Sequence, residues 1–255
     1  MARRNDIVKY LEEVFAEVNF ADYSYNGLQF EGSDKVSKIA AGVDATNEFF
    51  VEAARQKADF ALVHHGLFWK GAEWCRLDRI NQKIFKNLLA ANLNLYAMHL
   101  PLDAHPEFGN NAVMARLLKA EVIAPFGGSR GNAVGVLARF KTAITLTELK
   151  KRIEKVVGPI VTSLDFGGKK VQTLGILSGG GWSSVSDPLV YNGEVDAILT
   201  GEIIHQAVAA CRDRQINMIS AGHYATEVFG ARELGQHLAK KFGLAFSFID
   251  LPTGL

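Results

Sequence analysis

The sequence predicts an α/β fold made of two α/β lobes related by an internal repeat, with a small βαββ insert. Short apolar segments typical of buried strands alternate with segments typical of helices. A pattern from the first half returns near the C-terminus, and the middle of the 255-residue chain breaks the alternation. We expect residues 1–125 with 190–255 to form a metal-binding α/β domain and residues 126–189 an inserted α+β domain.

The first half alternates between the two kinds of segment. Asn5 or Asp6 can cap a first helix whose apolar stripe extends to Val18, and a turn-rich segment follows over 25–32. The pattern predicts helices over 48–56, 80–92 and 110–119 and strands over 39–43, 60–63 and 93–98. Strands separated by helices predict a mainly parallel sheet.

The middle of the chain has a different order of elements. A strand is predicted over 132–140, and Thr145 with Glu148 forms a capping-box pattern that opens a helix to about Val157. Gly158 is placed to end that helix. Strands near 161–166 and 171–177 complete the βαββ pattern of the insert.

The later part repeats features of the first half. Segment 195–202 resembles segment 58–65, and segment 217–223 resembles the strand before His99. His99 precedes Asp103 by four positions, and His223 precedes Glu227 by four positions. This spacing predicts an internal duplication of α/β units.

Composition argues against several classes of partner. The formal net charge of +1 gives no global field toward nucleic acid or acidic lipid, so neither is an expected partner. The two cysteines lie outside any CxxC, which favours a reduced compartment. The N-terminal segment lacks a signal-peptide apolar core, and no apolar run approaches the roughly 20 residues of a membrane span. We therefore expect a cytoplasmic protein.

Imidazoles and carboxylates follow three predicted strands. In open α/β sheets, ligands gather outside the carboxyl ends of strands, so these side chains are expected to converge. A mixed nitrogen and oxygen set suits Zn, Mn, Fe, Co or Ni, and two such ions roughly 3.5–4 Å apart support hydrolysis. The candidates are His64, His65, His99, Asp103, His223 and Glu227.

Each candidate alone also has a structural interpretation. Asp103 could cap a turn before Pro106, and Glu227 could be a first-turn helical acid. Because three separate strand ends carry such residues, convergence favours a metal site. His105 and His237 are interpreted as a loop residue and a helical residue without metal.

Other residues near the expected site have open roles. Glu202 and His205 lie three positions apart, on one face of an expected helix, where they could bind metal or orient its ligands. We favour an orienting role for this pair, and we place His99 near the metals in the same way, with its status as a ligand open.

The loop Gly179–Gly181 could cradle an anion through its NH groups or be a flexible turn. Phe68 and Trp69 could form the wall of a pocket for a planar ring or belong to the core. Lys70 could meet phosphate, although we expect it to be solvated.

Three motifs together resemble one known family. They are His64-His65-Gly66-Leu-Phe-Trp, Met98-His99-Leu-Pro-Leu-Asp103 and Gly222-His223-Tyr-Ala-Thr-Glu227. They are similar to the NIF-three-like dinuclear-metal proteins, labelled GTP cyclohydrolase I type 2 homologues, which include the bacterial YbgI-type members. Asn26–Gln29 and Gly201–His205 also match the pattern, and the resemblance spans about residues 5–250.

The resemblance implies ligands, assembly and chemistry. It implies two divalent ions per chain and a ring-shaped homohexamer. It further implies a metal-dependent hydrolase that opens the imidazole ring of a purine nucleotide such as GTP. The alternative is a non-catalytic metal-binding ring that delivers metal or recruits a partner. The ligands implied are His64, His65, Asp103, His223 and Glu227.

Overall fold

The fold is mixed α/β, as the sequence predicts. A computed structural model describes residues 1–16, 20–71, 78–129 and 132–255. Val18, expected on the first helix, and Cys75 lie outside these residues. Among the described residues, no helix is both long enough and apolar enough to cross a membrane.

Thirteen strands are assigned within the described ranges. They are β1 (Ala2–Arg3), β2 (Gly27–Phe30), β3 (Lys35–Val36), β4 (Lys38–Asp44), β5 (Phe60–His65), β6 (Asn94–Ala97), β7 (Glu121–Ser129), β8 (Asn132–Thr145), β9 (Thr162–Asp165), β10 (Lys170–Leu177), β11 (Ala197–Thr200), β12 (Asn217–Ser220) and β13 (Ala245–Phe248).

Helices of the same ranges vary from one turn to more than five. They are α1 (Arg4–Val14), α2 (Asn47–Arg55), α3 (Asn81–Ala91), α4 (Leu100–Asp103), α5 (Asn110–Leu117), α6 (Leu146–Val156), α7 (Pro188–Tyr191), α8 (His205–Asp213) and α9 (His223–Phe242), with a 3-10 helix over Gly181–Ser186.

The chain divides into two compact units. The first unit contains Met1–Leu102 and Gly230–Leu251, and the second contains Asp103–Phe229 and Pro252–Leu255. These boundaries differ from the predicted ones. The insert expected over 126–189 contributes to the same sheet as β11 and β12, since β10 pairs in parallel with β11.

The first unit contains a five-stranded sheet in the order β13-β4-β5-β6-β2. Neighbouring strands are parallel except for β2, which runs antiparallel to β6. Thr46 caps α2 by accepting a hydrogen bond from the Phe49 NH at 3.2 Å. Phe49 and Phe50 of α2 are buried with Val63 in the core of this unit.

The second unit contains a six-stranded sheet in the order β7-β8-β10-β11-β12-β9. Only β10, β11 and β12 are parallel to one another among these strands. The mainly parallel sheet predicted from the first half of the chain is therefore the sheet of the first unit. Thr145 caps α6 at the predicted position, because Thr145 Oγ1 accepts from the Glu148 NH at 3.1 Å. Leu149 and Ile153 of α6 are fully buried.

Four strands follow the same course in both units. In chain order, β2, β4, β5 and β6 form the neighbours β4-β5-β6-β2, and β9, β10, β11 and β12 form the neighbours β10-β11-β12-β9. Each set has three parallel strands and an antiparallel strand that comes earliest in the chain. This is the topology that the predicted internal repeat requires.

Side-chain hydrogen bonds at the strand starts also match. Asn94 and Asn217 are fully buried, and each accepts from one loop NH while its amide donates to two carbonyls. The bonds are Gly32 N to Asn94 Oδ1 (2.8 Å), Asn94 Nδ2 to Ser33 O (2.8 Å) and Asp59 O (2.9 Å), then Gly167 N to Asn217 Oδ1 (3.0 Å), Asn217 Nδ2 to Gly168 O (2.9 Å) and Asp196 O (3.3 Å).

Candidate metal centre

Two adjacent histidines occupy the end of β5. The prediction ended this strand at Val63, whereas the structure extends it through His65, which lies opposite Asp44 of β4. The His64 and His65 ring centroids nevertheless lie 4.7 Å apart at an interplanar angle of 45°. The extension occurs because Asp44 and His65 continue the parallel pairing.

Both rings have an oxygen acceptor at Nδ1. His64 Nδ1 donates to the Met98 carbonyl at 3.1 Å, and His65 Nδ1 donates to Asp44 Oδ1 at 2.8 Å. Because these oxygens only accept, Nδ1 carries a proton in both rings, and in the neutral tautomer with that proton the lone pair is on Nε2. This tautomer is the one that metal-binding histidines use when Nε2 binds the ion.

His99 joins these two rings within the first unit. Its ring centroid lies 5.0 Å from that of His64 and 5.4 Å from that of His65. One ring nitrogen from each of the three histidines can be chosen so that all lie within 4.8 Å of one another. His99 Nδ1 donates to Asp22 Oδ1 at 2.8 Å. The first unit therefore presents three clustered imidazoles.

Asp22 is a buried carboxylate that sequence reasoning missed. Its oxygens accept from the Ser24 NH (3.0 Å), the Asn26 amide (2.9 Å) and the Leu100 NH (3.1 Å), besides His99. Burial alone would raise the pKa of Asp22. The hydrogen bond from His99, its charge and the bonds from Asn26 and Ser24 outweigh burial and hold the pKa of Asp22 below the usual range. Asp22 therefore stays ionised and holds the His99 ring.

The Asn26–Gln29 motif positions the loops beside these imidazoles. Asn26 Oδ1 accepts from the His99 NH at 2.8 Å. Gln29 Oε1 accepts from the Leu67 NH at 2.8 Å and the Phe68 NH at 3.2 Å. A Cβ at Gly66 would lie 2.4 Å from the Gln29 amide nitrogen and 2.6 Å from the Ala97 Cβ, so a larger residue would displace one of these neighbours.

In the second unit, Asp103 is a buried carboxylate at the end of α4. Its Oδ1 accepts from Asn110 Nδ2 at 2.7 Å and from Ser178 Oγ at 2.9 Å. Asn111 Oδ1 in turn accepts from the Ser178 NH at 2.7 Å. This network fixes the position of the carboxylate.

His223 and Glu227 lie one turn apart at the start of α9. His223 Nε2 is 3.2 Å from Glu227 Oε1, and His223 Nδ1 is 2.5 Å from Glu202 Oε1. The bond to Glu227 raises the pKa of His223 to about 9, with burial opposing and the Glu202 carboxylate adding to the rise. The metal-free ring is therefore an imidazolium, and an ion at Nε2 would replace its proton.

Glu202 contacts His223, in agreement with the orienting role favoured from the sequence. The expected helix face shared with His205 is wrong, because α8 begins at His205 and Glu202 precedes it. His205 is exposed. Backbone geometry at the strand end, rather than helical spacing, places Glu202.

The glycine loop after β10 approaches the same carboxylate. Gly179 has a φ of +59°, and a Cβ there would lie 2.2 Å from Glu227 Oε1 and 3.0 Å from His223 Nε2. Its NH donates to Thr226 Oγ1 at 3.0 Å, while its carbonyl accepts from the Gly201 and Glu202 NH groups. The anion-cradle hypothesis is therefore wrong for the Gly179 NH, which already has an acceptor.

Two histidines lie in other hydrogen-bonded settings. His105 Nδ1 accepts from the Glu107 and Phe108 NH groups at 3.1 Å each. His237 Nε2 and the Tyr10 hydroxyl are 2.6 Å apart. These contacts agree with their interpretation as structural residues.

Residues 68–70 have three different environments. Phe68 packs against the core of the first unit. The Trp69 ring lies 5.0 Å from the His99 ring at a near-perpendicular angle. Lys70 Nζ donates to the Asp22 carbonyl at 2.9 Å, so it is bound to the chain rather than simply solvated.

Comparison with known proteins identifies the family. The family model described as Duf34/NIF3 (NGG1p interacting factor 3) matches residues 2–253. The chain belongs to the Duf34/NIF3 family. The relative from Pyrococcus horikoshii named "GTP cyclohydrolase 1 type 2 homolog" is 39% identical over 253 residues, which is 99% of both chains.

Solved structures of similar sequence share the Duf34/NIF3 fold. The protein ybgI, described as of unknown function, superposes with a TM-score of 0.91 at 35% identity and full coverage of both chains. TTHA1606 from Thermus thermophilus gives a TM-score of 0.88 at 34% identity, also with full coverage. The whole chain therefore has relatives of known fold.

Proposed function

We propose that this protein is a dinuclear metal-dependent hydrolase whose ligands are His64, His65, Asp103, His223 and Glu227. The observation that supports this most is the same at all three histidines. Each donates Nδ1–H to an oxygen, namely the Met98 carbonyl, the Asp44 carboxylate and the Glu202 carboxylate. That arrangement orients Nε2 and strengthens it as a ligand.

The donor chemistry fits divalent ions of the first transition row. Three imidazole nitrogens with two carboxylates suit Zn, Mn, Fe, Co or Ni. When bound, such ions polarise a substrate oxygen and acidify water. The protein itself holds the ligands in position. Asn110 and Ser178, for example, orient the Asp103 carboxylate by donating hydrogen bonds to its Oδ1.

We propose a purine nucleotide such as GTP as the substrate, with hydrolytic opening of its imidazole ring as the reaction. The name "GTP cyclohydrolase 1 type 2 homolog" carried by relatives supports this substrate class. The imidazole cluster lies beside Trp69, whose indole offers a planar surface.

Turnover by metal-replete protein tests the proposal. Purified protein is loaded in turn with each of the five metals and incubated with a panel of purine nucleotides, and products are followed by absorbance and mass spectrometry. We expect His64→Ala to lose bound metal and turnover together, while His237→Gln keeps both. Stoichiometric metal with no turnover of any nucleotide would instead favour a metal-delivery or partner-recruiting protein.

We propose further that the chain forms a ring-shaped homohexamer in the cytoplasm, on the support of the family relationship. Six chains of 27.9 kDa give about 167 kDa. Light scattering coupled to size exclusion measures this mass directly, and a monomer or dimer at micromolar concentration would refute the hexamer.

A further inference from the structure

We propose that His99 is an additional metal ligand, so that the first unit supplies three imidazoles, His64, His65 and His99, to the metal pair. This inference rests on the proposed metal site and extends its ligand set. It concerns coordination and does not depend on which substrate the protein hydrolyses.

The first argument is the geometry of the cluster. The three rings are mutual neighbours, with centroids 4.7, 5.0 and 5.4 Å apart. Ring nitrogens within 4.8 Å of one another are close enough to serve two adjacent ions. His99 therefore places a third nitrogen donor close enough to bind the same ions as His64 and His65.

The second argument is the state of the His99 ring. Asp22 accepts from His99 Nδ1, so the Nδ1 proton is fixed and Nε2 is the nitrogen available to an ion. Asp22 is 3% exposed and accepts four hydrogen bonds, from Ser24, Asn26, His99 and Leu100. Burying a carboxylate is costly unless it is satisfied in this way. The fold thus maintains a buried anion against His99 Nδ1.

The third argument compares His99 with His223. Each follows the third parallel strand of its set, β6 or β12, and each precedes an acid by four positions. Each also donates Nδ1–H to a carboxylate, Asp22 or Glu202. Because His223 is a proposed ligand with these features, the same features at His99 point to the same role.

Cobalt provides a readout that needs no substrate. Full-length protein is titrated with Co²⁺ alone, and the visible d–d absorption reports stoichiometry, affinity and coordination. We expect His99→Ala to change the band shape and to weaken one of two Co²⁺ equivalents by roughly tenfold or more. Added imidazole should restore the wild-type band by occupying the space of the lost ring.

Two further variants separate coordination from folding. Asp22→Asn keeps the size of the side chain but removes its charge and one of its two acceptor oxygens, so we expect roughly tenfold weaker binding with the wild-type band retained at saturation. His237→Gln, on the same unit but bonded to Tyr10, should leave titration and spectrum unchanged. An unchanged spectrum and affinity in His99→Ala would overturn the inference while leaving the five-ligand site intact.

If His99→Ala fails to fold, anomalous diffraction from a zinc-loaded crystal of the wild-type protein tests whether His99 binds metal. The expected result is an anomalous peak about 2.0–2.1 Å from His99 Nε2 in the wild-type protein. Peaks near the other ligands with none within about 3 Å of His99 would refute the role of His99 alone. Absence of zinc from all of these residues would refute the proposed metal site itself.

Discussion

Gly179 has a positive φ and lies in close contact with Glu227, and both features favour glycine at this position. Its φ of +59° is unfavourable for residues with a Cβ, and the position of that Cβ would lie 2.2 Å from Glu227 Oε1. We expect Gly179→Ala to displace Glu227, to weaken metal binding at least tenfold and to lower the free energy of unfolding by about 1–2 kcal/mol or more. Metal titration and denaturant unfolding measure the two effects.

The neighbouring glycine offers a matched control. A Cβ at Gly180 would meet nothing within 4 Å, and its φ is −77°. Gly180→Ala should therefore leave both metal affinity and stability close to wild type. Equal effects of the two substitutions would contradict a specific role for Gly179.

His223 gives the metal-free protein a pH-dependent contribution to stability. Contact with Glu227 raises the pKa of His223 to about 9, against an ordinary value of 6.5. A raised folded-state pKa stabilises the fold fully below pH 6.5, and this contribution disappears as the pH rises through 9. In chelator-treated protein, we expect His223→Gln to lower stability at pH 6 and to have little effect above pH 9.

Bound metal should have the opposite pH dependence, becoming tighter as the pH rises. An ion at His223 Nε2 competes with the proton, so its apparent affinity rises with pH up to about 9. Competitive titration at several pH values measures the affinity, and urea unfolding of the metal-free pair measures the stability difference. A stability difference that grows with pH would show that the ring is neutral in the folded protein.

At the residue level, the sequence indicated which side chains lie near the candidate site better than it indicated how they are placed. It favoured an orienting role for Glu202, and this carboxylate does contact His223 Nδ1, although the helix face on which that interpretation rested does not form. It missed Asp22, because this residue sits in a loop with no spacing pattern, and only the folded chain brings it to His99, 77 positions away. The five-residue ligand set stays a prediction until metal is measured.

At the scale of elements, the two units contain matched hydrogen-bond networks. Asp59 Oδ2 accepts from the Ser37 and Lys38 NH groups, and Asp196 Oδ2 accepts from the corresponding Gln172 and Thr173 NH groups. Each network also includes the hydroxyl of the neighbouring Ser37 or Thr173. We infer that such agreement in detail supports an internal duplication more strongly than sequence spacing does.

Asn94 and Asn217 test whether the networks are energetically equivalent. Each side chain makes three hydrogen bonds to backbone groups and is fully buried. Removing either leaves polar groups without a partner, so we expect each alanine variant to lose about 2–4 kcal/mol in the free energy of unfolding. Urea unfolding with native mass spectrometry measures the loss.

The exposed Asn192 provides the comparison for these variants. Its side chain donates to Glu194 Oε1 at 3.2 Å on the surface, so Asn192→Ala should change stability by less than about 0.5 kcal/mol. A loss at Asn94 with none at Asn217, or the reverse, would contradict equivalence of the two networks.

Local signals predicted elements better than their pairing. The N-cap at Thr145 is a contact between near neighbours in sequence, and α6 follows it as expected. Strand β7 was not predicted, because its Gly127 and Gly128 lower strand propensity and its pairing with β8 supplies the stabilisation. The antiparallel strands of the second sheet likewise depend on long-range pairing that periodicity does not reveal.

At the scale of the whole molecule, three of the proposed metal ligands are buried polar side chains. Asp103, His64 and Glu227 are each nearly inaccessible to solvent. Ions that bind the folded chain and not the unfolded chain stabilise it by mass action. The stability of the protein should therefore depend on free metal concentration.

Removing metal tests this dependence. At a free metal concentration 100 times the Kd, one site contributes about 2.7 kcal/mol, which for a chain of this size corresponds to a Tm higher by roughly 5–10 °C. We expect differential scanning calorimetry to show at least this difference between zinc-replete and chelated wild-type protein. In His64→Ala the difference should shrink, because an imidazole proposed to bind metal is missing, whereas His237→Gln should keep the full wild-type difference. A Tm that does not respond to zinc in the wild-type protein would mean that folding does not create the site, since binding to the folded state alone must raise Tm.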